Sequence, residues 1–269
     1  LNDSLQGGNL LNIIVCVKRV PFTQEEDLKI EATKKEVDRE SLAYVINEWD
    51  NYAIEEAVRL IEQGEGTVTA MTIGPEEDEE VLRRCLAMGA DRAWRIDPGE
   101  RTLDGQGTAR VLARVIAELS FDLILCGVQA EDDNQGMVGI TLAEYLGLAH
   151  AAVVTAIEPR EGELIVQCEL EGGTDERSRI KLPALLTVQT GINEPRYVSI
   201  MKIKKAAKKP LEVIRLADLN FSPDDLAPQV LLEELFLPPE TGGSEMITGD
   251  PTQVAEKILQ ILKEKGVRD

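Results

Sequence analysis

Residues 121–148 read FDLILC, then GVQAEDDNQGMVG, then ITLAEYLGL. A short apolar run, a glycine-bearing turn and a helix-like stretch follow one another without a gap. An unbroken apolar run of this length suits a strand buried on both faces. A strand feeding a helix through a short turn is half of a parallel crossover unit. The same alternation fills the chain before it. NIIVCV (12–17) and TVTAMTIG (67–74) read as strands, and RAWRID (92–97) as a shorter one. NYAIEEAVRLIEQ (51–63) carries Ala53, Ile54, Ala57, Val58 and Ile61 on one helical stripe, with Gly64 and Gly66 behind it. EEDEEVLRRCLAMGA (76–90) sets acids in its first turn and arginines later, as the helix dipole favours, and Gly89 stops it. DGQGTARVLARVIAELS (104–120) places Ala109, Leu112, Ala113 and Ile116 on one face. This order predicts right-handed crossovers, a parallel sheet and helices on both its faces. Ligands of such sheets lie beyond the carboxyl ends of the strands, here near Lys18, Gly74, Asp97 and Gly127.

The pattern changes after His150. AAVVTAIE (151–158), ELIVQCELEG (163–172) and SRIKLPALLTVQT (178–190) are strand-like, with a turn at Pro159–Gly162. They predict an antiparallel addition to the sheet edge. Residues 198–209 read as a basic helix and LEVIRLADLN (211–220) as a strand and turn, while 21–46 reads as a polar excursion. From Phe221 the chain is rich in proline and glycine around an apolar LLEELFL (231–237), and PTQVAEKILQILKEKG (251–266) is amphipathic through Val254, Ile258, Ile261 and Leu262. Residues 1–11 thus read as a tail or expression remnant, 12–220 as one α/β domain, and 221–269 as an arm. The apolar face of the arm's helix suggests docking on another chain; packing back on its own domain is the alternative.

Composition bounds the rest. The chain has 269 residues, 43% hydrophobic and only 4% aromatic, so its core is built from Leu, Ile, Val and Ala. A net charge of −20 lacks the basic footprint of a nucleic-acid binder, and its simplest reading is a well-solvated surface. Cys16, Cys85, Cys126 and Cys168 show no C-x-x-C spacing; they read as buried thiols in a reducing compartment, hence a cytoplasmic location. The single histidine, His150, has no partner for metal binding, and no nucleophile or acid–base set is present, so no catalytic residue and no metal ligand is assigned. No apolar run approaches the roughly 18 residues of a membrane span.

The loop 127–139 has no Lys or Arg, and it carries Glu131, Asp132 and Asp133. Phosphate binding depends on backbone N–H groups and a helix dipole more than on cations. Gly127 lets the chain turn, Asp133 or Asn134 can cap the following helix, and Gly136 and Gly139 leave backbone uncovered. The loop matches neither G-x-x-x-x-G-K-[ST] nor G-x-G-x-x-G. Its spacing alone favours a capped βα turn with small residues for packing, and a nucleotide loop is the alternative.

Three further stretches carry a resemblance. VKRVP (17–21), NEWDNYAIEEAVRL (47–60) and ELEGGTDERSRIKLPALLTVQTGINEPRYVSIMKIKKAAKKP (169–210), together with the loop, resemble the beta subunits of electron transfer flavoproteins over nearly the whole chain. The most specific piece is KLPALLTV followed by INEPRY and a Lys-rich helix. The resemblance implies an adenine nucleotide α-hydrolase-like, Rossmann-like sandwich with an antiparallel extension and a C-terminal arm. It implies a non-enzymatic subunit that pairs with an alpha subunit, shares its FAD and holds a structural AMP. Electrons would pass from acyl-CoA or related dehydrogenases to a downstream quinone-linked oxidoreductase.

Carried over by position, the nucleotide would touch Cys16, Val17, Lys18, Asn47, Thr72, Ile73 and Gly74. In the loop it would touch Gly127, Gln129, Asp132, Asp133, Asn134, Gln135, Gly136, Met137, Val138 and Gly139, with a phosphate near 135–138. Partner recognition would fall on Ile192, Asn193, Glu194, Pro195, Arg196 and Tyr197, with Ile192 protruding into the dehydrogenase. Lys202, Lys204, Lys205, Lys208 and Lys209 would steer it electrostatically, and Thr23 would lie near the alpha subunit's flavin. In the electron-bifurcating members of the family a second FAD replaces AMP and takes electrons from NADH. That alternative stays open, although Asp133 stands where those members place glycine, and its charge and bulk favour AMP. A homodimeric, nucleotide-responsive binding protein of the same fold is a third alternative, which would need neither INEPRY nor the arm.

Overall fold

The computed structural model describes residues 10–23, 28–38, 42–239, 243–244 and 246–267. Most of the expected N-terminal tail, residues 1–9, lies outside the described residues.

The opening strand, β1 (Leu11–Cys16), divides its side chains between two cores. Ile13 and Val15 face one, Ile14 and Cys16 the other, as pleating requires. It pairs in parallel with β4 (Gly66–Ile73) on one side and β6 (Leu123–Gly127) on the other. Beyond β4 lie β5 (Arg92–Asp97) and then β11 (Leu211–Arg215), both parallel. Beyond β6 lie β10 (Ala184–Val188), β7 (Ala149–Arg160), β8 (Glu163–Leu170) and β9 (Thr174–Lys181), completing a nine-stranded sheet. A separate hairpin pairs β2 (Arg19–Pro21) with β3 (Tyr44–Ile46) and closes the base of the 22–43 excursion.

Helices α1 (Glu48–Glu62) and α2 (Glu79–Met88) cover one face, joined there by α5 (Ile200–Ala206). Helices α3 (Gly105–Ile116) and α4 (Val138–Leu146) cover the other. Connection handedness explains the split. The chain steps from β1 to β4 to β5 in one direction, then returns past both to β6, so α3 must cross the opposite face. Connections from β1 and β6 therefore leave in opposite directions, and the crevice beyond their carboxyl ends is the switch point where such sheets bind ligands. Ile124 and Leu125 of β6 are wholly buried, one in each core; each contributes about 1.5–3 kcal/mol by its burial.

The expected parallel sheet with helices on both faces is present. One expectation needs correction. SRIKLPALLTVQT is not a single edge strand: it divides at the cis Leu182–Pro183 bond. TDERSRIK becomes the charged, exposed edge β9, whereas ALLTV becomes β10, buried at every position and parallel to both neighbours in the middle of the sheet. Five consecutive buried residues can only be satisfied between two helical layers, while alternating charge suits an edge. The antiparallel addition is thus β8 and β9. Smaller shifts also occur. The helix expected over 76–90 begins with a 3-10 turn at Glu76–Asp78 and ends at Met88, and that expected over 104–120 ends at Ile116.

The arm is fastened at its root. Asp104 caps α3 through Oδ1, accepting from Gly107 N at 2.7 Å, and accepts from Gln229 N and Val230 N through Oδ2 at 2.6 and 3.2 Å. Further along, Leu235 N donates to Lys34 O at 2.8 Å, on the tip of the excursion. The terminal helix, α6 (Pro251–Glu264), has a complete capping box at Asp250 and Gln253 yet buries none of its residues.

Candidate functional site

Site geometry begins with a residue the sequence reading passed over. Asp50, in the first turn of α1, is almost fully buried and accepts two backbone hydrogen bonds. Its Oδ2 receives Lys18 N at 2.8 Å and its Oδ1 receives Gly127 N at 3.0 Å. One carboxyl thus ties together the ends of the two strands flanking the switch point. It also explains Gly127, because a Cβ there would stand 2.5 Å from Asp50 Oδ1. Burial pushes the Asp50 carboxyl up to about 7, against the downward pull of the two amides and of Asn47. The legible signal was an acid within NEWDN at the start of a helix that follows a strand.

Asn47 occupies the N-cap position of α1 but caps nothing. Its Nδ2 donates to Gln129 O at 2.8 Å and its Oδ1 accepts from Glu131 N at 3.1 Å, so both ends of the amide strap the loop. Lys18 answers the loop's missing cation. Its Nζ lies 2.7 Å from Asp132 Oδ1 and 2.9 Å from Asp133 Oδ2. Burial works against the ammonium, but these two carboxylates outweigh it and hold the Lys18 pKa above its ordinary value.

The expected capping of the next helix by Asp133 or Asn134 does not occur. Asp133 Oδ1 accepts instead from Gln135 N at 3.0 Å, two residues on, and Asn134 adopts φ 50°. Gly136 follows at φ 61°, the left-handed region where glycine is favoured. The N-cap of α4 is Met137, and no side chain caps that end. The first-turn N–H groups of α4 are therefore left to a ligand or to water, with the positive end of the helix dipole behind them. Gly139 serves packing rather than ligand approach, since a Cβ there would meet Thr187 Cγ2 at 2.6 Å. Met137 lies against Gly105 at the start of α3.

Direct hydrogen bonds bring together Lys18, Asn47, Gly127, Gln129, Asp132, Asp133 and Gln135. Cys16 ends β1 on the α3–α4 side, and Val17 is buried on the other, its N–H bonded to Met71 O. Thr72 and Ile73 end β4, the neighbouring strand, and Gly74 follows it. Gly74 is required there by Asp78, whose Oδ2 would stand 1.8 Å from an added Cβ.

A second cluster holds the turn at 192–197. Arg196 grips α1 with its whole fork: Nε and Nη2 donate to Glu55 at 2.8 and 3.1 Å, and Nη1 and Nη2 to Glu62 at 2.7 and 2.9 Å. Glu62 and Glu55 together hold the guanidinium above its ordinary range. Asn193 Nδ2 donates to Tyr52 O and to Glu56 Oε2 at 3.1 and 2.9 Å. Ile192, expected to protrude, is half-buried and packs against the α1–α2 core. The outward apolar groups are Tyr197, which is 86% exposed, with Ile200 and Met201. Glu194 is exposed and Pro195 half-buried, and Thr23 is exposed just after β2. Of the five lysines expected to form a steering face, Lys209 instead caps the end of α2, donating to Leu86 O at 3.0 Å and Ala90 O at 2.7 Å. All four cysteines are free and buried. Among the described residues no helix is long and apolar enough to cross a membrane.

Comparison with known proteins agrees with this architecture. A family model described as the electron transfer flavoprotein domain matches residues 35–219. The electron transfer flavoprotein subunit beta of Methylophilus methylotrophus is 38% identical over 262 residues, covering 94% of this chain and 98% of that protein. Its human counterpart is 33% identical over 260 residues, covering 95% and 98%. The caffeyl-CoA reductase-Etf complex subunit CarD of Acetobacterium woodii is 35% identical over 265 residues, covering 96% and 100%.

Proposed function

This chain belongs to the electron transfer flavoprotein family as a beta subunit, and on that premise we propose that it holds one structural AMP at the switch point while its alpha subunit carries the FAD. The flavin, when bound, supplies the electron-accepting and electron-donating chemistry. This chain's residues supply position. The observation that carries the AMP reading is the uncapped start of α4 beside carboxylates already tied to Lys18. A single phosphate can meet those N–H groups from outside. The longer diphosphate of a second FAD would bring more negative charge towards Asp132 and Asp133, where Lys18 is the cation bonded to both. Acid extraction of the co-purified heterodimer should release one FAD and one AMP. Two FAD and no AMP would overturn the reading and favour the NADH-oxidising alternative.

The further partners follow from the same premise. Electrons arrive from an acyl-CoA or related dehydrogenase and leave to a quinone-linked oxidoreductase. Residues 221–269 form the arm that embraces the alpha subunit, consistent with a terminal helix that buries nothing of its own. Free, buried thiols suit a cytoplasmic, reducing setting. The turn Ile192–Tyr197, clamped on α1 by Asn193 and Arg196, presents the dehydrogenase with a rigid edge. Tyr197→Ala, which removes the outward-facing apolar group of that turn, should slow flavin reduction by the dehydrogenase about tenfold, on the scale of a lost interface anchor, with FAD content unchanged. An unchanged rate in stopped-flow reduction would remove the recognition assignment.

A further inference from the structure

A cleft of about 360 Å³ lies between the hairpin β2–β3 and helices α1, α2 and α5. Its apolar walls are Phe22, Tyr44, Val81 and Ile203. Arg19 stacks 3.9 Å from the centre of the Tyr44 ring and so braces that wall. Two buried polar atoms on the lining residues have no hydrogen-bond partner: Asn51 Oδ1, on α1, and Arg84 Nε, on α2. One is an acceptor and the other a donor. An unmet buried pair of this kind is costly in the free protein, and a peptide group offers the complementary donor and acceptor.

Charge narrows the choice of occupant. Glu48, Glu80 and Glu131 also line the cleft. Burial, Glu48 and Asp132 push the Glu131 carboxyl up, and among the described residues the lining sets one cation, Arg84, against these three glutamates. Glu80 has Arg19 only at 3.8 Å. Anionic ligands are disfavoured here, and so is a second copy of a chain carrying −20.

Continuity with the arm identifies the source. The hairpin wall is the base of the excursion, and the tip of that excursion grips the arm through Leu235 N to Lys34 O at 2.8 Å and a Lys34–Glu234 pair at 3.4 Å. The excursion thus carries the cleft's wall at its base and holds the arm at its tip.

We propose that this cleft is a socket for a lysine- or arginine-bearing segment of the alpha subunit. The aliphatic stem lies on Phe22, Tyr44, Val81 and Ile203, the cationic head meets the three glutamates, and the segment's main-chain amide meets Asn51 and Arg84. The inference rests on the arm reading above, not on the identity of the bound nucleotide.

The test measures heterodimer dissociation with the full-length alpha subunit at several salt concentrations. Glu48→Lys should weaken association about tenfold or more and flatten its salt dependence. Arg84→Met should weaken association while leaving the salt slope of the unmodified chain. Melting curves of each free variant report whether it is folded. If Glu48→Lys and Arg84→Met both fold and bind the alpha subunit as before, the socket is overturned. A chain ending at residue 230 then tells whether the arm reading survives. Should both variants keep the heterodimer intact but raise the KM for a dehydrogenase, the cleft belongs to that partner and the proposal fails. A heterodimer that never forms with the unmodified chain overturns the family-based reading as well.

Discussion

Replacing Arg196 with methionine should lower the unfolding free energy by about 3–5 kcal/mol, the usual cost of stranding a buried charge. Glu55, the residue left behind, is only 3% exposed, and Arg196 gives it two hydrogen bonds from Nε and Nη2 and a third from the backbone N–H. Without the guanidinium, the carboxylate keeps one amide donor and no counter-charge. Arg196→Lys should recover only part of the loss, because an ammonium cannot reach Glu55 and Glu62 with a planar fork. Adding Glu55→Gln to the methionine variant should restore stability by removing the unpaired charge. Urea midpoints for the three variants are the measurement. A loss below about 1 kcal/mol for Arg196→Met would put the clamp in the class of ordinary surface pairs.

Asp50→Ala should cost about 2–5 kcal/mol, since it leaves the Lys18 and Gly127 amides without their acceptor in a buried setting. The cost should depend on pH in an unusual direction. The Asp50 carboxyl titrates at about 7 in the folded chain, with an ordinary value of 3.8. Between these values the folded chain holds a proton that the unfolded chain has released. Unfolding then releases a proton, so this residue's contribution is fully present below about pH 4 and declines as pH rises towards 7. The slope is about 1.4 kcal/mol per pH unit, and it vanishes above the folded value. The stability gap between the parent chain and Asp50→Ala should therefore narrow across that window, while the other carboxylates cancel in the difference. A gap that stays flat across that window would mean that the carboxyl is ionised throughout and held by its amides. The same variant should loosen the loop that Gly127 opens.

The parallel core was legible because Ile13 to Cys16 and Leu123 to Cys126 are runs with no polar interruption. The helices between them carry clear apolar stripes. What misled was ALLTV: its neighbours in sequence are an edge and a turn, and nothing local says that five apolar residues cross to the middle of the sheet. The loop was recognisable as strand, turn and helix, but not its wiring. Lys18 lies 114 residues from Asp132, and Asn47 lies 82 from Gln129, so their pairing is a product of topology alone. Asp50 was passed over for a related reason: an acid in the first turn of a helix already has a sufficient local explanation in the dipole. Ile192 illustrates the opposite error. The resemblance set it protruding from its turn, yet Asn193 and Arg196 draw that turn down on α1 and half-cover the isoleucine.

The central place of β10 bears on how the chain is made. Until residues 184–188 have left the ribosome, β6 presents an unpaired, wholly apolar edge, and β7 with its two antiparallel followers has no sheet to join. The nascent protein must hold two half-domains apart while that late strand slides between them, a non-local closure that is slow by nature and open to wrong pairing. Charges spread along β9 guard the outer margin during this interval; the apolar run of β6 at the inner one carries no such charge.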